Sequence, residues 1–200
     1  LAIAATLVII TGGIDLSVGT LMTFTAVIAG GVLTFWGLAM PFGIVAAIAA
    51  GAGCGFISGS LIARMKIPPF VATLGMMLIL KGLSLVISGT KPIYFNDTPS
   101  FPQLSTGSLI GAVVPGLPVP NGVVILFLLA LAISWVLTRT TLGRYCFALG
   151  SNEEAVRLSG VNADGWKVAI YALAGGICGI AGLLIASRLN SAQPALGLGY

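Results

Sequence analysis

An all-α, polytopic transmembrane helical bundle is the fold class that this 200-residue sequence predicts. Three observations carry the prediction. Only 7% of the residues are charged and 58% are hydrophobic, whereas a water-soluble domain carries about 25% charged residues. The nine basic and five acidic residues leave long gaps between Asp15 and Arg64, between Asp97 and Arg139, and between Lys167 and Arg188. A hydrocarbon core of about 30 Å takes about twenty apolar helical residues to cross, so each gap holds at least one span. Finally, the ten-residue alternation of barrel strands is missing. Lipid requires backbone groups to be satisfied within the segment, which selects helices.

Residues 1–11 (LAIAATLVIIT) read as the tail of a span, already apolar at Leu1, so the sequence is expected to be a piece of a longer chain. Gly12 to Ser17 interrupt it, and a clean span follows over 18–37. Pro41 stands where a helix start tolerates proline and opens the next span, which runs to about Ala63. Arg64, Lys66 and Pro68-Pro69 mark its end, and a further span over 70–88 carries Lys81. Residues 89–121 read as a loop rich in Pro, Ser, Thr and Gly, 122–138 as a short span, 139–167 as a polar loop and 168–186 as the last span. The prediction is thus about five full spans and a fragment, forming one transmembrane domain over 1–200.

Alternate loops carry Arg64, Lys66, Arg139, Arg144, Arg157 and Lys167 on one side, and Lys91 and Arg188 on the other. The positive-inside tendency puts the first set in the cytoplasm. The loop 89–121 then faces out and 139–167 faces in. Gly51, Gly55 and Gly59 recur at four-residue spacing, and Gly175 with Gly179 repeats it. Such faces let helix backbones approach closely where no hydrophobic drive brings helices together.

Composition excludes several functions. The sequence has no histidine, so a finger-type zinc site, His-based acid–base catalysis and a Ser-His-Asp triad are ruled out within these residues. No catalytic set and no metal-ligand set is expected. Cys54, Cys146 and Cys178 are dispersed and odd in number, which gives no disulfide framework. No G-x-x-x-x-G-K-[ST] loop occurs, so nucleotide hydrolysis of that type is absent. The basic residues are scattered singly rather than striped, which argues against nucleic acid.

Three places carry functional information. In Gly12-Gly13-Ile14-Asp15-Leu16-Ser17-Val18-Gly19, two glycines break a helix, and Asp15 or Ser17 can cap the one that follows. The stretch reads either as a tight turn with a capping acid or as a broken helix lining a translocation path. Lys81 lies about 16 Å along a helix that starts near Phe70, close to mid-membrane. It either snorkels or pairs within the bundle, and a direct substrate contact is the minor alternative. Ser151-Asn152-Glu153-Glu154 has the form of a capping box with Ser151 as N-cap. The short helix it would start runs through Ala155, Val156, Arg157 and Leu158 and ends at Ser159-Gly160. A small amphipathic helix of this kind suits docking to a soluble partner or lies on headgroups.

Together these places resemble the permease subunits of bacterial ATP-binding-cassette importers for monosaccharides, the ribose/xylose/arabinose/galactoside branch. GGIDLSVG at 12–19, IPPFVATLGMMLILKGLSLVISGTKPI at 67–93, TTLGRYCFALGSNEEAVRLSGVNADGWKVAIYALAG at 140–175 and SRLNSAQPALGLGY at 187–200 carry the resemblance in order, nearly end to end. It implies an inner-membrane permease working by alternating access, in a pair with a second permease copy. It also implies a periplasmic sugar-binding protein and a tandem-domain cytoplasmic ATPase. ATP and Mg would bind that ATPase, with no cofactor on this chain. The segment Ser151, Asn152, Glu153, Glu154, Ala155, Arg157, Ser159 and Gly160 would be the ATPase-coupling element, and 89–121 would help meet the binding protein. Cys146 departs from the small or apolar residue expected there. The rival readings are an ion-coupled secondary transporter or channel, for which Asp15 is the available acid, and a membrane-embedded enzyme, which lacks a catalytic set.

Overall fold

The computed structural model describes residues 1–113 and 116–199. Val114 and Pro115 of the expected loop and Tyr200 of the closing string lie outside the described residues. The chain is helical nearly throughout. A nine-residue α1 (Ala2–Ile10) is followed by the Gly12–Ser17 break and then by α2 (Val18–Gly30), which runs on into a π-turn at Gly31–Phe35. Next come α3 (Met40–Ala63) and α4 (Pro69–Ser88). A connecting region follows, with β1 (Ile93–Tyr94) and the short α5 (Gln103–Thr106) and α6 (Leu109–Val113). Then α7 (Asn121–Arg139), α8 (Thr141–Leu158) and α9 (Ala163–Leu189) lead to β2 (Ser191–Ala192) and a 3-10 turn at Leu196–Gly199.

Among the described residues, five helices are long and apolar enough to cross a membrane: Val18–Phe35, Met40–Ala63, Pro69–Ser88, Asn121–Arg139 and Ala163–Leu189. These are the five full spans expected, and α1 is the fragment. Local chemistry sets their ends. Pro41 and Pro69 sit in the first turns of α3 and α4, where a missing N–H costs nothing. Gly89, at φ 60°, closes α4 in the left-handed conformation, which glycine adopts without a Cβ clash.

Two expectations are corrected here. Residues 139–167, expected to be a polar loop with one short helix from about Ala155 to Leu158, are mostly helical, because Thr141–Leu158 form α8. The last span is longer than 168–186, because the Asn162 side chain accepts the Gly165 N–H at 2.9 Å and so starts α9 at Ala163. Both differences have the same cause, a low apolar content that leaves a helix without the apolar record by which the spans are read.

The core is built around α9, which packs along α3. Gly51 and Gly175 face each other so closely that a Cβ on either would fall on the other's carbonyl oxygen. A Cβ at Gly179 would lie 2.9 Å from the Ile48 Cα, and one at Gly59 would lie 2.9 Å from the Val168 Cα. The spaced glycines are therefore a packing face, as their spacing suggests. Two turns beyond Gly175 on α9, Gly182 receives α2 at the Met22 carbonyl and Thr25 hydroxyl.

The connecting region caps one end of this core. Ser187 Oγ of α9 donates to the Phe101 carbonyl at 2.8 Å and accepts the Ser105 N–H at 3.0 Å. Phe95 and Phe101, both buried, stack with centroids 4.2 Å apart. β1 and β2 pair antiparallel with Ile93 opposite Ala192, which ties this region to the exit of α9. The Arg64–Lys66 turn and α8 lie at the opposite end, reached through α4 and α9. The two sets of connections that the charge distribution separates are thus at opposite ends of the bundle. Beyond β2 the chain turns back along α2, where a Cβ at Gly197 would fall on the Gly19 carbonyl and 2.5 Å from Thr23 Oγ1. This backbone contact on the first turns of α2 had no counterpart among the expectations.

Candidate functional site

The end of the bundle that carries α8 holds most of the protein's charge. α8 bends at Asn152, whose backbone (φ −160°, ψ 98°) is not helical. The first part of α8 is clamped to its neighbours by small residues. A Cβ at Gly143 would collide with the Leu137 carbonyl of α7, and one at Gly150 with the Ile10 carbonyl of α1. Cys146 is fully buried between them, with its thiol 3.6 Å from the Leu7 carbonyl. A small side chain is what that contact requires, which accounts for cysteine there.

Beyond the bend, the short segment is initiated differently from the expected capping box. The cap is Asn152, whose Oδ1 accepts the Ala155 N–H at 3.0 Å. Ser151 is exposed, and among the described residues Glu154 makes no return bond. The reason is the bend itself, which places the non-helical, cap-competent backbone at Asn152. Glu153 takes the role of organiser. It accepts from Arg157 at 2.7 Å, one turn on, and from Lys167 of α9 at 2.5 Å. Arg157 also clasps Asp164 at the start of α9, including a 3.2 Å bond from its Nη1, and Lys66 reaches Asp164 at 2.9 Å.

Five charges thus join three elements: the segment after Asn152, the α3–α4 turn and the foot of α9. Burial alone would raise the Glu153 pKa, but the hydrogen bonds and charges of Lys167 and Arg157 outweigh it and hold the carboxyl below its ordinary value. The segment ends at Ser159, and Gly160 turns the chain at φ 81°. Glu154, Ala155 and Leu158 are left exposed, Leu158 at 84%. What results is a short helix held rigidly from behind, with an apolar and acidic face turned outward.

The Gly12–Ser17 break is the second expected site. Gly12 is left-handed (φ 75°) and Gly13 lies against the Tyr171 hydroxyl of α9. Asp15 Oδ1 accepts the Ser17 N–H at 2.8 Å and the Ser17 hydroxyl at 2.6 Å. Asp15 is therefore the residue that organises the entry to α2, while Ser17, at the N-cap position, makes no side-chain cap bond. From α4, Thr73 accepts the Leu16 N–H at 3.3 Å and lies 3.3 Å from the Ile14 carbonyl. Gly19 is buried under the returning Gly197. The broken helix is thus pinned between α4 and α9.

Lys81 is not placed with either group. It lines a narrow crevice with Thr20, Thr23, Ser84, Pro194 and Gly197. A second, larger space of about 1000 Å³ separates α7 from the core, with Met22, Leu126, Leu184 and Ile185 on its apolar sides and Ser105 and Arg188 near the capped end. Among the described residues no cluster of three or more His, Cys, Asp or Glu could hold a metal ion.

Sequence reasoning missed Lys66, Asp164 and Lys167 as partners of the segment after Asn152. Asp164 had a local signal, since Arg157 and Asp164 flank the Gly160 turn. Lys66 had none, lying 98 residues from its partner. Thr20 and Thr23 were also passed over. Their signal is a polar pair three residues apart in an apolar helix, matched by Lys81 and Ser84 at the same interval.

The family described as branched-chain amino acid transport system / permease component matches residues 1–200. The ribose import permease protein of Escherichia coli (strain K12) is 39% identical over 203 residues, which cover 100% of this chain and 61% of that protein. The fructose import permease protein of Rhizobium meliloti is 37% identical over 199 residues, covering 97% of this chain and 54% of its own length. The galactofuranose transporter permease protein of Escherichia coli (strain K12) is 37% identical over 194 residues, with coverages of 96% and 54%. The chain spans 54–61% of the length of these relatives. No solved structure matches it. The relatives agree with the resemblance to monosaccharide importer permeases, and the five spans with a multi-pass membrane protein.

Proposed function

The chain belongs to the branched-chain amino acid transport system / permease component family, and from that premise we propose that it is the permease subunit of a bacterial ATP-binding-cassette importer for a monosaccharide. The observation that carries this reading is near end-to-end similarity to permeases named for ribose, fructose and galactofuranose. The inner membrane is the location this implies. The protein works with a cytoplasmic tandem-domain ATPase that binds ATP and Mg, a periplasmic sugar-binding protein and a second permease copy.

The segment Asn152–Gly160 is the coupling element. Its outward face, with Glu154, Ala155 and Leu158, is free to seat in an ATPase. Its rear is tied by Arg157 and Glu153 to Asp164, Lys167 and Lys66. A push on it is delivered to the foot of α9 and to the α3–α4 turn, the helices that form the core. Nucleotide binding can shift the inward- and outward-facing states only through different contacts in the two states, and this rigid mounting makes such a difference felt within the membrane. Loop 89–121 and its capped helices face the binding protein at the other end.

The test is co-reconstitution of the full-length permease with its ATPase and binding protein in vesicles. Uphill ribose or fructose uptake that needs ATP is the expected result. Uptake sustained by an ion gradient with no ATPase present overturns the reading.

A further inference from the structure

About two-thirds of the way along α4 stands a cation that has no counter-charge among the described residues. Lys81 is twelve residues from the start of α4 at Pro69, about 18 Å along its axis and well inside a membrane-crossing helix. Among the described residues it takes part in no salt bridge, unlike Lys66, Arg157 and Lys167. An unpaired charge at such depth is costly and faces a bundle interior or a polar cavity. Here it lines a crevice together with three hydroxyl-bearing residues, Thr20 and Thr23 of α2 and Ser84 of its own helix.

Those hydroxyls are already committed as donors. Thr20 donates to the Ser17 carbonyl at 3.0 Å, Thr23 to Gly19 at 3.3 Å and Ser84 to Leu80 at 2.7 Å. What they offer the crevice is lone pairs alone, while the Lys81 ammonium offers donors alone. Neighbouring alcohol groups, each able to donate and to accept, match that combination. A small anion would satisfy the lysine but would face three electron-rich oxygens. A purely apolar solute would leave the ammonium unpaired.

Resting on the permease reading above, we propose that Lys81, Thr20, Thr23 and Ser84 form the intramembrane contact point for a neutral polyhydroxylated solute in transit, closed here by the returning segment at Pro194 and Gly197. The crevice is too narrow in this state to admit a water-sized sphere. Gly197 shuts it by lying directly on Gly19 and Thr23, so opening requires the segment after β2 to draw away from α2.

The experiment uses the full-length permease with its ATPase and binding protein in vesicles, with ribose and fructose as probes. Lys81→Met, which keeps length and removes every donor, should assemble with the ATPase while sugar uptake falls about tenfold, the scale of one charge-assisted hydrogen bond. Lys81→Arg should restore most of the uptake. Thr23→Val should narrow the preference for ribose over 2-deoxyribose, which an anchoring role for this region would leave unchanged. Wild-type uptake by Lys81→Met overturns the proposal. If Lys81→Met does not assemble, an unaltered ribose preference in Thr23→Val overturns it instead. A wild-type complex that moves neither sugar with ATP brings down the permease reading itself, a result distinct from both.

Discussion

Gly51 and Gly175 show how little tolerance the core has at single positions. Because a methyl on either would land on the opposing backbone carbonyl, and backbone cannot rotate away as a side chain can, Gly175→Ala should cost about 1–3 kcal/mol. Gly53 lies on the same helix as Gly51, and a methyl added there would meet nothing within 4 Å, so it should accept alanine without loss. Denaturation midpoints of the two variants in detergent check the contrast. Asp15 is the corresponding polar case. It carries two hydrogen bonds that begin α2, whereas Lys91 is exposed at the capped end. Asp15→Ala should therefore lower stability by about 1 kcal/mol or more and depress uptake, and Lys91→Ala should do neither. Equal behaviour of the two variants would remove the role given to Asp15.

Among the elements, α8 teaches most about what a sequence reveals. The spans were legible because a hydrocarbon environment leaves a twenty-residue apolar record, and α3, α4 and α7 each start within one residue of the expected place. α8 left no such record. It is not among the helices apolar enough to cross a membrane, and residues such as Thr141, Arg144 and Ser151 are acceptable in polar helix and loop alike. Its cap fell on Asn152 rather than Ser151 because the bend, imposed by packing of Cys146 and Gly150 on α1, decides which backbone is free to accept. Such tertiary decisions have no local signature. The element's charge cluster gives two predictions. Glu153 has its carboxyl held below the ordinary glutamate value, so its contribution is complete above about pH 4.3 and drains away as pH falls further. Fluorescence of Trp166, which stacks on Tyr145 at 4.9 Å, should report this loss in a Trp36→Phe, Trp135→Phe background, and Glu153→Gln should abolish the transition. Glu154→Lys, altering only the outward face, should weaken co-purification of the ATPase while leaving membrane insertion and the Trp166 signal intact.

For the whole molecule, the proposed orientation is open to direct measurement. Cysteines placed at the exposed Thr106 and Ser151, in a background lacking Cys54, Cys146 and Cys178, should react with an impermeant thiol reagent from opposite faces of the membrane. Reaction from one face would overturn the assignment of inside and outside. The closest helix pair, α3 with α9, has a further implication for biosynthesis. The two stretches are separated by all the residues between Ala63 and Ala163, and α9 leaves the ribosome long after α3 has been released into the bilayer. During that interval the bare strip of Gly51, Gly55 and Gly59 has only acyl chains for company. Newly made protein stalled before α9 should thus be an easy target for membrane proteases, and survival of the nascent chain should rise sharply once residue 180 has been translated.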